Sequence, residues 1–444
     1  MIRNNLTRRE FLGTTTAMAM AGAAPKAAAV GGNPNALALH GGTPVRTKPF
    51  PSWPQTNELD EANILKAVRN HRWCTFDGEF IPKFEQAWAK HLGAGGCVMT
   101  PCGTHALHMA LEVLGVEPGD EVLVAPFSFI ADVDAIMLCH ALPVFVDSDL
   151  ATFQMDPADI EHRITENTKA IIPCHIMGAP ADMDRINAIA LKHNLPVVED
   201  ACQAHVTTWK GKPAGTLGTI GCFSFQESKV IPGGEAGALV SDNPDLITAA
   251  YTFRNFGCPP KHSETYVSRG TKYRISDFSA AILMAQMSRY ETLCAVREKN
   301  AAYLKEKLSK IPGIMPQEYY PGTTRMTHYN FAVRWDKAQL AGLTQGQMIK
   351  ALKAEGIRSA MSSTPPINRE PYLEKVLNSR GYQRLFSKER LDRYRQENVL
   401  PKNDELCATH VCMFHDILMG TTADADDVVE AFAKVQRNAA ALSS

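Results

Sequence analysis

No Cys-x-x-Cys pair occurs among the eleven cysteines of this 444-residue chain, which argues against a structural zinc site or a thioredoxin-like redox motif. The cysteines are odd in number and scattered from Cys74 to Cys412, and no histidine pair accompanies Cys407 and Cys412. That pattern argues against a disulfide framework as well, and the thiols read as small buried apolar groups. Charge of one sign is also missing: 46 basic and 47 acidic residues leave a formal net charge of −1. There is no basic face of the kind nucleic acid requires. Beyond the N-terminus no apolar run approaches the roughly 18–20 residues of a membrane span, and no internal repeat is present. Gly233-Gly234-Glu235-Ala236-Gly237 matches neither Gly-x-Gly-x-x-Gly nor a Walker loop, which argues against nucleotide binding.

What is present is an ordinary globular composition, 45% hydrophobic and 21% charged, in a chain too long for one core. Three parts are expected: a leader over 1–30, a large domain with an N-terminal arm over 31–300, and a smaller C-terminal domain over 301–444. The leader carries Thr7-Arg8-Arg9-Glu10-Phe11-Leu12, a weakly apolar stretch over 13–24 and the small residues Ala27-Ala28-Ala29. This is the layout of a twin-arginine export signal, so export to the periplasm of an already folded chain is expected. Free thiols fit that route, because folding then takes place in the cytoplasm.

A Gly/Pro-rich arm over 31–54 precedes a helix predicted at 58–70. Hydrophobic periodicity then predicts helices at 104–114, 130–139 and 182–193. They alternate with apolar strands at 121–125, 143–146, 170–173, 196–199, 221–225 and 237–241. Long helical segments over 276–308 lead to the last domain, where helices are expected at 347–354 and 425–442. Alternating short strands and helices imply an α/β fold: a mainly parallel sheet with helices on both faces, and a smaller α+β domain after it.

Ligands of such sheets collect where strands end and helices begin, and three segments stand at such ends. Pro101-Cys102-Gly103-Thr104-His105 opens a helix and offers amides and a hydroxyl to an anion. Glu199-Asp200 ends a strand, with Gln203 and His205 behind it. Phe223-Ser224-Phe225-Gln226-Glu227-Ser228-Lys229 leaves another strand. Together they hold the parts a pyridoxal phosphate site needs. Lys229 would bond the cofactor aldehyde and later move protons. Asp200 would pair with the pyridine nitrogen, and Gly103, Thr104 and Ser224 would cradle the phosphate. Phe129, in Pro126-Phe127-Ser128-Phe129, would stack on the ring. No metal is called for.

On these motifs the chain resembles the DegT/DnrJ/StrS family of sugar and cyclitol aminotransferases. The resemblance runs from Leu39-His40-Gly41-Gly42-Thr43-Pro44-Val45-Arg46 to His415-Asp416-Ile417-Leu418. It includes Gly119-Asp120-Glu121-Val122, Pro180-Ala181-Asp182-Met183-Asp184 and Glu199-Asp200-Ala201-Cys202-Gln203-Ala204-His205. The resemblance implies the aspartate-aminotransferase fold with a seven-stranded type of sheet, pyridoxal 5'-phosphate, and a homodimer with shared active sites. It further implies Lys229 at the aldehyde, Asp200 at the ring nitrogen, Gln203 near the ring hydroxyl and Ser224 at the phosphate. Phe225-Gln226 and the arm resemble the branch acting on keto-cyclitols, with glutamine as donor. Arg254, His328, Tyr329 and the Pro365-Pro366-Ile367-Asn368 loop are candidate substrate contacts.

Four positions depart from the pattern. Lys272 stands where the family commonly has the Asn that reaches the partner subunit's phosphate, and Ala236 replaces a glycine. Val230 follows the lysine in place of Asn, and Phe256 replaces a histidine. The expected reaction is amino transfer from a glutamine- or glutamate-like donor to a keto-sugar or keto-cyclitol. The rival readings are a sugar dehydratase or eliminase on the same scaffold, against which Lys229 argues, and an exported non-catalytic ligand-binding homologue.

Overall fold

The computed structural model describes residues 35–260, 265–362 and 365–443. The twin-arginine segment and the rest of the expected leader lie outside the described residues. Seven strands build the central sheet: β1 (Gly96–Thr100), β2 (Glu121–Val124), β3 (Leu142–Phe145), β4 (Thr168–Ile172), β5 (Val198–Asp200), β6 (Ile220–Ser224) and β7 (Gly237–Ser241). Their order is 3-2-4-5-6-7-1, the two halves meeting through parallel bridges Ile171–Val197 and Cys174–Asp200. Every pairing is parallel except those of β7, which runs antiparallel to β6 and β1.

Helices cover both faces, and the strands' two-residue period sorts their side chains between two cores. Val98, Cys222 and Leu239 face one core, with Ala106, Leu107, Ala110 and Leu111 of the helix Gly103–Val113. Their neighbours Met99, Phe223, Ala238 and Val240 face the other, against Phe84 and Trp88 of Phe80–Leu92 and Leu283 of Asp277–Met287. In chain order the helices used below are α1 (Glu58–Arg69), α2 (Phe80–Leu92), α3 (Gly103–Val113), α4 (Ala131–Leu138), α5 (Met183–Lys192), α6 (Pro244–Arg254), α7 (Asp277–Met287) and α8 (Tyr290–Leu308). The helical stretch expected over 276–308 is thus two helices, parted at Ser288 and Arg289.

Beyond α8, an antiparallel sheet of β8 (Ile314–Pro316), β9 (Asn330–Trp335) and β10 (His410–Phe414) carries a third core. Leu37 of the arm is buried in that core, and Arg46 reaches it through an ion pair with Asp424 at 2.7 Å. The first part of the arm, around Leu37 and Arg46, therefore packs on the C-terminal part. Residues 367–407 do the reverse. Leu373, Leu391 and Tyr394 join the core of the large sheet, and Tyr382 Oη donates to the Ala141 carbonyl at 2.9 Å. A single cut at residue 300 does not describe the packing.

One polar contact ties this late segment down. The Glu121 carboxylate, fully buried at the start of β2, accepts from Arg390 Nε and, at 2.8 Å, from Thr165 Oγ1. Removing one partner of a buried pair leaves an uncompensated charge. Arg390→Met should therefore destabilise the fold by about 3–5 kcal/mol, read as a lower urea midpoint. Adding Glu121→Gln should recover much of the loss; a double variant no more stable than the single would show that the pair is not the cause.

Candidate active site

Three strand ends converge on one cavity of about 460 Å³. β1 stops at Thr100, and α3 starts at Gly103 behind an extended Cys102 that offers no side-chain cap. The first N–H groups of a helix have no intrahelical acceptor, so this turn presents donors and the positive end of the helix dipole. The residue must be glycine. A Cβ at Gly103 would lie 2.7 Å from Cys202 Sγ and 2.9 Å from Ser224 Cβ, so only a bare backbone brings the turn down onto the ends of β5 and β6.

At the end of β5, Asp200 is 3% exposed. Its Oδ1 accepts from the Cys202 N–H at 2.9 Å and its Oδ2 from Cys174 Sγ at 3.2 Å. Gln203 lines the same wall, its Oε1 accepting from the Met177 N–H at 2.8 Å. Behind β6, His205 donates from Nε2 to the Ser224 carbonyl at 2.6 Å. Burial lowers the pKa of His205 to about 3, so it stays neutral and acts as a prop for the strand end.

Lys229 is held from three sides. After β6 the chain doubles back through Gly233 N–H to Phe225 O, 2.7 Å, and Glu227 N–H to Gly234 O, 2.8 Å. Trp53 of the arm donates from Nε1 to the carbonyls of Glu227 (3.1 Å) and Lys229 (3.2 Å). His415, edge-on to the Trp53 ring at 4.6 Å, reaches the Ser228 carbonyl at 3.2 Å. The half-buried side chain then enters the cavity, with Nζ 4.2 Å from the centre of the Tyr329 ring, a cation–π distance. The Tyr329 hydroxyl in turn meets Ser228 Oγ at 3.0 Å. Ala236 does not disturb this loop, because the left-handed turn falls on Gly234 (φ 82°) and Ala236 is not among the positive-φ residues described.

Of the residues singled out in the sequence, Gly103, Thr104, Phe129, Asp200, Gln203, Ser224, Lys229 and Tyr329 line the cavity. Arg254, His328 and Lys272 do not. Arg254 is 1% exposed and is consumed by Glu85 Oε1 at 2.7 Å and the Met99 carbonyl at 2.8 Å. It anchors the β1 end through Nη1, while its Nη2 is buried without a hydrogen-bond partner among the described residues. His328 is buried in a left-handed backbone (φ 52°), where desolvation and the nearby Arg297 and Lys305 cations bring its pKa to about 3. Lys272 is exposed and bridged through its backbone to Asn255. Asn368 bonds Asn398 and Asn403, turned away from the cavity.

The sequence reading missed Trp53, His415 and Asp132. The first two act from opposite ends of the chain, and nothing local marks them. Asp132 did carry a signal, an acid in the apolar run Ile130-Ala131-Asp132-Val133, four residues after Ser128.

Residues 55–431 match the model of the DegT/DnrJ/EryC1/StrS aminotransferase family. The chain is 33% identical to the L-glutamine:2-deoxy-scyllo-inosose aminotransferase of Streptomyces lividus over 424 residues, 92% of this chain and 99% of the relative. It is also 33% identical to the L-glutamine:scyllo-inosose aminotransferase of Streptomyces griseus over 429 residues, again 92% and 99%. Among solved structures it resembles 3-amino-5-hydroxybenzoic acid synthase, with 30% identity and a TM-score of 0.80 over 88% of this chain and 99% of that one.

The clamp on Lys229 makes a prediction that needs no ligand. Trp53→Phe keeps an aromatic ring against His415 but removes the donor to Glu227 O and Lys229 O. Amide hydrogen exchange across 225–237 should speed up, with a stability loss of about 1 kcal/mol. Unchanged exchange in that segment would mean the indole N–H does not hold the loop.

Proposed function

The chain belongs to the DegT/DnrJ/EryC1/StrS aminotransferase family, and on that premise we propose that it moves an amino group from L-glutamine, or a similar amino acid, to the ketone of a cyclitol of the scyllo-inosose kind. The observation that carries this reading is the convergence of Lys229, Asp200 and the α3 N-terminus on one cavity. Pyridoxal phosphate is the cofactor of this aminotransferase, and the residues present fit it. The bare turn at Gly103, with Thr104 and Ser224, suits a phosphate. Asp200 is a buried carboxylate suited to a protonated ring nitrogen, and Phe129 offers a ring at the rim, 58% exposed.

Once bound, the cofactor supplies an electron sink for the charge left when a proton leaves the donor's α-carbon. Lys229 Nζ would hold the cofactor through its aldehyde carbon and, when free, would be the base placed to move that proton. The Tyr329 ring limits where the freed amine swings. Asp200 would pair with the ring nitrogen and favour its protonated form. Asn330 Oδ1 is buried in the same cavity without a protein partner, an acceptor that a hydroxyl of a polyol substrate satisfies.

The reading extends to a homodimer. Phe76 and Phe256 are 48% and 45% exposed, and both lie under the Arg274 guanidinium, at 4.6 and 5.5 Å. Covering this patch with a second copy would bury it and turn the neighbouring exposed Lys272 toward the partner, where its charge suits a phosphate. Export by the twin-arginine route rests on Arg8-Arg9 and the stretch behind them.

The test is a half-reaction. Protein loaded with pyridoxal phosphate should lose its visible absorbance on adding L-glutamine and regain it on adding scyllo-inosose or its 2-deoxy form. A visible band that no amino donor changes would overturn amino transfer. Lys229→Ala should abolish the band and lower turnover by at least the ~10²–10⁴-fold that positioned proton transfer contributes; a surviving band would mean another lysine bonds the cofactor.

A further inference from the structure

Behind Asp200 sits a second carboxyl that the reaction as described does not use. Asp132, on the first turn of α4, is fully buried. Ligand atoms of Asp132, Cys174 and Asp200 all lie within 4.8 Å of one another. Asp132 Oδ2 accepts from Ser128 Oγ. Among the described residues Asp132 Oδ1 is buried with no hydrogen-bond partner, and no cation figures among the charges acting on the group. Two carboxylates this close, both out of water, cannot both be charged without a large cost. Read as an anion, Asp132 is an uncompensated charge with an orphaned oxygen. Read as an acid, it is a donor with the Asp200 carboxylate within 4.8 Å.

We propose that Asp132 is a positioning residue for the amino-transfer site: it is protonated at working pH and donates a hydrogen bond to Asp200, so that the pair carries a single negative charge aimed into the cavity. The inference rests on the reading of Asp200 as the group that faces the cofactor's ring nitrogen. Its physical effect is twofold. Asp132 fixes the Asp200 carboxylate, which the Cys202 N–H and Cys174 hold otherwise. By donating to Asp200 it also leaves the single negative charge of the pair on the carboxylate that lines the cavity.

The surroundings agree. The titratable groups facing Asp132 are Asp200 at the end of β5, Cys174 after β4 and Cys222 on β6, with Ser128 a neutral donor. Burial holds both thiols protonated. Burial and then the charge of Asp200 raise the Asp132 pKa well above 3.8. The folded protein therefore binds a proton here that the unfolded chain releases above about pH 3.9. The linkage sign follows: stability is lost as pH rises from that value toward the folded pKa.

The apoprotein provides the first test. Its infrared spectrum at neutral pH should contain the carbonyl stretch of a protonated carboxylic acid, shifted in D₂O and absent from Asp132→Asn. The melting temperature of apo Asp132→Asn should exceed that of the wild type at pH 8, with a smaller gap at pH 5. In the loaded enzyme, Asp132→Ala should weaken pyridoxal phosphate binding by about tenfold, as for one lost charge-assisted hydrogen bond, and shift the visible band. Asp132→Asn, which keeps a neutral donor, should restore both. Lack of the acid band, or an Asn variant as impaired as the Ala variant, overturns the proposal. So does a metal ion that the apoprotein retains through dialysis and Asp132→Asn loses. Asp200→Asn separates this from the underlying reading: if it leaves cofactor binding and the visible band intact, Asp200 is not the ring partner, whereas the infrared and melting results on the apoprotein report on Asp132 alone.

Discussion

A carboxylate buried at the end of a central strand is the constraint on which the rest of the site depends. Asp200 is out of water, and its protein partners are a backbone N–H and a thiol, neither of them a cation. Such a charge is costly unless something positive meets it. A protonated ring nitrogen would supply that charge from within the cavity, which is why a cofactor with a basic ring suits this place. The seven-stranded sheet exists, from the viewpoint of the site, to hold Asp200, Ser224 and the turn at Gly103 at fixed separations. Strands packed on both faces move little, so the separations of the Gly103 turn, Ser224 and Asp200 are set by β-sheet geometry and not by loops.

Lys229 is the exception, since it sits on a loop and must nonetheless point inward. Its placement comes from far along the chain in both directions. Trp53 and His415, 362 positions apart by their numbers, meet edge to face and grip three consecutive carbonyls, those of Glu227, Ser228 and Lys229. The arm can do this because Leu37 and Arg46 anchor it on the C-terminal part. The same interpenetration appears at 367–407, which returns to the large core. The two parts of the molecule are thus tied across the cavity, and the lysine is held at the tie.

The electrostatics are economical. His205 and His328, which titrate near neutrality when free, are both driven to about 3 by burial and remain neutral props. The charges that face the cavity are few, Lys229 and Asp200 chief among them. In a pocket with few charges each one counts for more.

Much of this was legible in the sequence. The helices and strands around the site fall within a few residues of their expected places, because apolar period and Gly/Pro punctuation are local properties. Gly103, Thr104, Asp200, Ser224 and Lys229 line one cavity, as expected from strand ends, which mark where an α/β sheet gathers its ligands. The exceptions have one physical cause. Arg254 and His328 look like substrate contacts in one dimension, but whether a polar side chain faces a cavity or is consumed by Glu85 depends on packing between distant segments. Trp53, His415 and the division of the cores belong to the same class. By itself the sequence determined the elements, the order of the chemical groups and the kind of chemistry they allow. Only the tertiary structure decided which polar groups share the cavity and which are spent on stability, and only it put Asp132 against Asp200, because burial and proximity arise from contacts that no local pattern encodes.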